Sequence, residues 1–244
     1  MGIKFANLNF EGLVKNELLK EEPFLKIIIP TNAELIVKAQ DNDKFKNLIS
    51  SSYATFDGQV PYYLASKQNK EETIEKISGS DLIYDFCKMA KNKNKRIFLL
   101  GGYEDSNNEA VLKLKEKYNI VIQGYSPPYK PYPFDREHND LIISKIKNFK
   151  PDILFVGFGA MKQEFWIEEH KTVLEDIGIK YIIGSGGTFE FVAGKIKRSP
   201  KIIQEIGLEG FWRLVSEPKW FRVKRLLVSF LIFKYIWSED ENKK

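Results

Sequence analysis

Four short stretches of the chain set chemistry-bearing residues beside glycine: Asp57-Gly58, Gly101-Gly102, the segment from Gly157 to Gln163, and the segment from Gly184 to Glu190. Each follows a short apolar run. Glycine at such a point lets backbone approach a phosphate closely, and a helix starting there offers unpaired N–H donors. Gly157-Phe158-Gly159 before Lys162 fits that use, as does Gly184-Ser185-Gly186-Gly187 before Thr188. Turns that merely join elements would carry the same glycines. Asp57 is sharper, because a carboxylate at the end of a short strand has the placement a general base needs. The competing reading is an Asp-Gly turn in which Asp57 bonds its own backbone.

Several chemistries lose support at this level. Neither long glycine segment completes G-x-G-x-x-G, since position 162 is Lys and position 189 is Phe; Gly194-Lys195 is followed by Ile196, not Ser or Thr. A nicotinamide dehydrogenase and a P-loop ATPase are therefore poorly matched. Asp41-Asn42-Asp43 imitates a D-x-D metal motif but lies between two helical stretches, where a turn and helix cap is the better reading. Two histidines, His138 and His170, and one cysteine, Cys87, make a Cys/His zinc site improbable. Both histidines are expected on solvated helix surfaces, and Cys87 as a small core residue. A single cysteine excludes an internal disulfide and fits a reducing compartment.

The elements that must position these loops can be read from apolar periodicity. Residues 26–29, 53–56, 96–100, 120–123, 152–156 and 181–183 read as short strands. Residues 32–40 read as a helix capped by Asn32, 81–90 as one capped by Ser80 or Asp81, and 107–118, 138–149 and 162–170 as three more. Ser126-Pro127-Pro128-Tyr129-Lys130-Pro131-Tyr132-Pro133 is too rigid for either regular element. Apolar strands alternating with helices predict an α/β fold, a Rossmann-like parallel sheet sandwiched by helices. Ligands of such sheets bind at the strands' C-terminal edge, where all four glycine stretches fall.

From 195 onward the chain changes character, so the expected organisation is an α/β catalytic core over 1–194 and a basic, aromatic-rich helical appendage over 195–244. Ten basic and three acidic residues from Lys195 to Trp237 give a net charge of +7, against +5 for the whole chain. Phe211, Trp212, Trp220, Phe221, Phe230, Phe233, Tyr235 and Trp237 interleave with them. The most apolar run, 226–237, is too short for a helix spanning a bilayer. Basic residues flanking a tryptophan-rich amphipathic helix suit an anionic membrane surface. Closure of the core or of a homo-oligomer interface stays open as a second use. Nucleic acid is disfavoured, because the long Leu/Ile/Val/Phe run would have no role on it. The N-terminus lacks a signal-peptide pattern and Ala6 breaks the myristoylation motif, so the expected location is cytoplasmic and peripheral to the membrane's inner face.

The segment Pro151-Asp152-Ile153-Leu154-Phe155-Val156-Gly157-Phe158-Gly159-Ala160-Met161-Lys162-Gln163-Glu164 resembles the WecG/TagA/CpsF family, glycosyltransferase family 26. The resemblance runs nearly the whole chain in order. It takes in Thr31-Asn32-Ala33-Glu34, Phe56-Asp57-Gly58, Ser78-Gly79-Ser80-Asp81-Leu82, Phe98-Leu99-Leu100-Gly101-Gly102 and Ser126-Pro127-Pro128-Tyr129. It continues through Gly184-Ser185-Gly186-Gly187-Thr188-Phe189-Glu190-Phe191, Lys197-Arg198-Ser199-Pro200, Arg213-Leu214 and Glu217-Pro218.

That resemblance implies an inverting transfer from a UDP-sugar, N-acetylmannosamine-type foremost, to a polyprenyl-diphosphate-linked N-acetylglucosamine, without divalent metal or other cofactor, for teichoic acid or capsule assembly. It puts the base on Asp57 and a substrate contact near the reaction centre on Gln163. Thr31 and Asn32 lie beside the sugars; Gly101, Gly102, Gly157, Gly159 and Lys162 line the edge. Gly184, Gly186, Gly187 and Glu190 hold UDP, with Glu190 accepting from a uracil N–H. Diphosphate charge without a metal calls for backbone N–H groups and cations, with Arg213, Arg222 and Arg225 the candidates. Lys76 stands where some members carry arginine, and offers a point charge in place of a bidentate fork. Other departures are Phe56 for a frequent proline, Met161 for proline, Pro30 for threonine and Glu190 for aspartate. The rival function is a catalytically silent nucleotide-sugar-binding scaffold at the membrane.

Overall fold

The computed structural model of the chain describes residues 2–197, 199–200, 202–203, 207–216, 218 and 220–235, the side chains of Arg213, Ser216 and Phe221 excepted. Its first elements are β1 (Ile3–Phe5), β2 (Leu8–Phe10), α1 (Lys15–Leu18), β3 (Lys26–Thr31), α2 (Ala33–Gln40), α3 (Asp43–Ser50), β4 (Tyr53–Phe56) and α4 (Gln59–Gln68). Then come α5 (Gly79–Lys93), β5 (Arg96–Gly101), α6 (Glu104–Tyr118), β6 (Val121–Tyr125), α7 (Arg136–Phe149), β7 (Ile153–Gly157) and α8 (Lys162–Asp176). β8 (Tyr181–Gly184), α9 (Thr188–Val192), α10 (Glu209–Ser216) and α11 (Trp220–Phe230) complete the described set. The chain folds as two units: a sheet unit of Leu19–Ile29 and Gly79–Ile196, and a terminal unit of Met1–Leu18, Pro30–Ser78 and Lys197–Lys244.

The six-stranded sheet has the order β4-β3-β8-β7-β5-β6. In the sheet unit the pairings are parallel: Ile28 with Ile183, Phe155 with Ile183, Leu99 with Phe155, and Phe98 with Gln123. The central strands β5, β7 and β8 are buried almost end to end, as expected of parallel strands covered on both faces, and this is why they read as continuous apolar runs. On one face Phe98, Leu100, Leu154, Val156 and Ile182 meet Ile142, Ile146, Trp166, Ile167 and Leu174 of α7 and α8. On the other, Phe86 of α5 packs edge-on against Phe155 and Tyr181, at centroid distances of 5.8 and 5.1 Å. Burying each such ring stabilises by roughly 2–3 kcal/mol.

In the terminal unit β1 and β2 form an antiparallel hairpin. Its turn puts both Ala6 and Asn7 in the left-handed region, at φ 48° and 57°. Two left-handed residues give the turn type whose twist matches a hairpin, and Asn adopts that region readily. Phe10 stacks on Phe56 of β4 at 4.2 Å, closing a small core with Phe5. Asn32 and Asn42 each accept the N–H three residues on, Leu35 and Phe45, and so cap α2 and α3. Asp41-Asn42-Asp43 is thus the turn and cap read from sequence.

Several local expectations need correction. The helix read over 81–90 begins at Gly79, so Ser80 and Asp81 lie inside its first turn rather than capping it. The helix read over 107–118 begins at Glu104. His138 is not solvated: it is 4% exposed, lies against the Phe134 ring and has its pKa lowered, first by burial and then by Lys130. His170 is half-buried and stacks on Trp166 at 4.6 Å. Cys87 is fully buried as expected, and burial pushes its thiol pKa to about 12.

Candidate active site

The sheet unit brings three glycine loops to the C-terminal ends of β5, β7 and β8. Their glycines divide into two kinds. A Cβ on Gly102 or Gly157 would strike the Phe189 ring, at 2.8 and 2.9 Å, and one on Gly184 would meet Nε2 of Gln163 at 3.0 Å. A Cβ on Gly101 would press on the Gly157 carbonyl at 2.9 Å. These four are glycines because neighbours pack on their backbone. Gly159 and Gly186 would meet nothing within 4 Å, and lie at φ 93° and 51°. Open space beside a left-handed glycine is where a ligand can come against backbone.

Bonds within the loops sharpen that division. The Gly102 N–H donates to the Gly157 carbonyl at 2.9 Å, and the Gly186 N–H donates to Oε1 of Gln163 at 3.1 Å. Both donors are therefore engaged within the protein. The Gly101 carbonyl accepts from Nδ2 of Asn107 and Oγ of Ser126. Asn107, fully buried, also donates to the Leu99 carbonyl. Nothing in the sequence distinguishes Asn107 from an ordinary polar residue early in a helix; its role comes from facing the end of β5.

Gln163 is 4% exposed, and both ends of its amide are used: Oε1 by Gly186 and Nε2 by the Glu164 carboxylate at 2.8 Å. It ties α8 to the loop after β8. Lys162 opens α8 and lies near the exposed ring of Tyr129, its Nζ 5.7 Å from the centroid. Met161 before it has φ 69° and ψ −40°, a conformation that costs of order 1–3 kcal/mol in a non-glycine residue. Backbone strain of this kind concentrates at functional loops. The Glu190 carboxylate approaches Gly187, within 3.5 Å of where a Cβ there would lie.

The terminal unit carries Thr31, Asn32, Asp57 and Lys76. Asp57 follows the last residue of β4, is half-buried, and donates its N–H to the Thr31 carbonyl at 3.2 Å. Thr31 ends β3, so the two strands end side by side and Asp57 stands at that end. Gly58, at φ 101° and ψ 155°, turns the chain into α4 in a region essentially reserved for glycine. Lys76 pairs in parallel with Phe56 and donates from Nζ to Oε1 of Gln59 at 3.2 Å. An ammonium therefore sits on the segment paired with the strand that delivers Asp57.

Of the three tail arginines, Arg225 is the one whose partner is clearest. Its Nε bonds the carboxylate of Glu34 at 2.5 Å, and Lys38 bonds the other oxygen at 2.7 Å. Burial raises the Glu34 pKa, but Arg225 and Lys38 outweigh it and hold the group below its ordinary value. Arg222 is half-buried on α11. The Arg213 side chain lies outside the described residues. The sequence reading gave Glu34 no role, although it stands in the first turn of a helix and closes the Thr31-Asn32-Ala33-Glu34 stretch. Among the described residues, no three His, Cys, Asp or Glu side chains gather as a metal site would require, and no helix is long and apolar enough to cross a membrane.

Comparison with known proteins identifies the family. The model of the glycosyl transferase WecG/TagA/CpsF family matches residues 1–243. A protein of Staphylococcus aureus (strain MRSA252) is 29% identical over all of this chain and 92% of its own length. One of Bacillus subtilis (strain 168) is 31% identical over 89% of this chain and 81% of its own. Both bear the name N-acetylglucosaminyldiphosphoundecaprenol N-acetyl-beta-D-mannosaminyltransferase.

Proposed function

This chain belongs to the glycosyl transferase WecG/TagA/CpsF family, and from that premise we propose that it moves an N-acetylmannosamine-type sugar from a UDP-sugar to N-acetylglucosamine carried on a polyprenyl diphosphate. The product feeds a bacterial cell-surface polymer of the teichoic acid kind. The observation that carries this reading is that both relatives, matched over most of their length and of this chain, are named for transfer of N-acetylmannosamine to N-acetylglucosaminyldiphosphoundecaprenol; the UDP-sugar donor is part of the proposal.

In the reaction an acceptor hydroxyl attacks the sugar's anomeric carbon from the face opposite UDP. Asp57 takes the hydroxyl proton, the new C–O bond forms, and UDP leaves with the electron pair of the bond it held, giving a β-linkage. In the sheet unit the candidates to meet the departing diphosphate are backbone N–H groups beside Gly159 and Gly187, with Lys162; in the terminal unit they are Lys76 and the arginines of the C-terminal segment. Glu190 accepts from a uracil N–H. Thr31 and Asn32 flank the sugars, and Asn32 keeps its amide nitrogen for them because only its oxygen caps α2. Gln163 acts by holding Gly186 in place. The scheme assigns no metal and no cofactor.

The C-terminal helices lie on the anionic inner face of the membrane where the acceptor lipid resides. Phe211 and Val215 on α10 are exposed at helical spacing, as are Trp220 and Leu227 on α11, with Lys224 between the latter two. The test is transfer from a panel of UDP-sugars to a lipid-diphosphate-N-acetylglucosamine analogue with chelator present. Turnover with UDP-N-acetylmannosamine is expected. UDP binding with no transfer from any donor would favour the silent-scaffold reading and overturn this one.

A further inference from the structure

Glu34 is a carboxylate in an unusual setting for a residue without an assigned role. Its side chain is 6% exposed, yet it holds two cations, Arg225 at 2.5 Å and Lys38 at 2.7 Å. It stands in the first turn of α2, two residues after the capping Asn32 and three after Thr31, whose carbonyl receives the Asp57 N–H. All of these residues belong to the terminal unit, and within it α11 packs against α2.

Helical spacing of 100° per residue orients α11. Trp220 and Leu227 fall within about 20° of one another on its exposed side, and Arg225 lies about 140° from Trp220. Arg225 therefore faces α2 while the apolar stripe faces away. Its side chain nonetheless stays 42% exposed. A guanidinium has five N–H donors in a rigid fork; Glu34 takes the one on Nε, and the fork continues past it toward solvent.

We propose that Glu34 is a positioning residue that fixes Arg225, and α11 with it, leaving the outer donors of the guanidinium available to take a diphosphate. This rests on the reading of the site given above and assigns a residue that reading does not use. An unanchored arginine side chain carries about 2 kcal/mol of rotamer entropy, lost when it binds a ligand. Anchoring it during folding removes part of that loss from the binding step. A diphosphate is the chemistry the fork matches, with two parallel N–H···O bonds where lysine offers a single point charge.

The experiment measures UDP affinity by calorimetry and the thermal unfolding midpoint on the full chain. Glu34→Gln keeps size and a hydrogen-bond acceptor but removes the charge; UDP affinity is expected to fall about tenfold, and to fall no further when Glu34→Gln is added to Arg225→Ala. Arg225→Lys keeps a cation for Glu34 and loses the fork; it is expected to retain the wild-type midpoint while weakening UDP. Three results would overturn the proposal: unchanged UDP affinity in Glu34→Gln, independent and additive losses in the double variant, or wild-type UDP affinity in Arg225→Lys, which would leave the pair a helix dock only. If the wild type bound UDP but transferred nothing, the catalytic reading would fall while the binding data still judged Glu34.

Discussion

A carboxylate can take a proton from an alcohol only if water and substrate can reach it, and only if its backbone is held while they do. Asp57 meets both conditions. It is half-buried at the end of β4, its N–H is tied to Thr31, and Gly58 follows in a backbone conformation that other residues adopt only under strain. Replacing Asp57 with Asn keeps the shape and removes the base. The expected result is a loss of about 10²–10⁴ in kcat, the usual contribution of a positioned base, with UDP affinity within twofold of wild type. Turnover surviving at the wild-type rate would remove Asp57 from the mechanism. Glycines at this scale are equally specific. Gly102 and Gly157 make room for Phe189, whereas Gly159 and Gly186 border open space, so the same residue type serves packing at one pair of positions and leaves backbone uncovered at the other.

Elements matter here mainly for what they hold still. Gln163 joins the start of α8 to the loop after β8 through Gly186, so Gln163→Ala should lower stability by about 1–3 kcal/mol, as loss of a buried, doubly bonded amide does. Denaturant titration reads this directly; a midpoint equal to wild type would mean the amide is not a structural tie. Glu34 holds α2 to α11, and its lowered pKa sets a sign. A carboxylate stabilised in its charged form adds stability above its ordinary value of 4.5, and that stability is lost as pH falls through the lowered value. The wild type is therefore expected to lose more stability than Glu34→Gln when taken from neutral pH to below 4.5. Equal losses would show that the pair is not coupled to folding. These elements also mark what was legible in sequence. The central strands could be read because both faces are buried and their apolar runs are unbroken. The β1–β2 hairpin could not, since its turn carries left-handed Ala6 beside Asn7 without a glycine. Helix α4 escaped because it contains Pro61 and buries only Pro61 and Ala65. Asp57 was legible from its place before glycine, whereas the partnerships of Asn107 with Gly101 and of Glu34 with Arg225 depend on residues that only the fold brings together.

For the molecule as a whole, charge and apolar surface concentrate in one stretch of sequence. The net +7 between Lys195 and Trp237 exceeds the chain's +5, so the remainder is slightly acidic. Along α10 and α11 large apolar side chains face solvent: Trp220 is 70% exposed, Leu227 61% and Phe230 59%. Exposed apolar area rimmed by cations is what an anionic lipid surface rewards, with about 1 kcal/mol for each Lys or Arg near it. Removing the segment outright would test this poorly, because Ile232 is fully buried and the Arg225–Glu34 pair would go with it. Leu227→Ser with Phe230→Ser avoids both, since each side chain is mostly exposed. This double variant is expected to keep the wild-type unfolding midpoint and its turnover of a soluble acceptor analogue, while losing at least tenfold in affinity for vesicles containing anionic lipid and in turnover of acceptor embedded in them. Added salt should weaken the wild type's vesicle binding through the basic residues, whose attraction is screened over about 10 Å at 0.1 M. Vesicle affinity unaltered by the double substitution would mean that this face packs against protein, and a concentration-dependent change in mass, abolished by the same substitutions, would identify a second copy of the chain as what covers it.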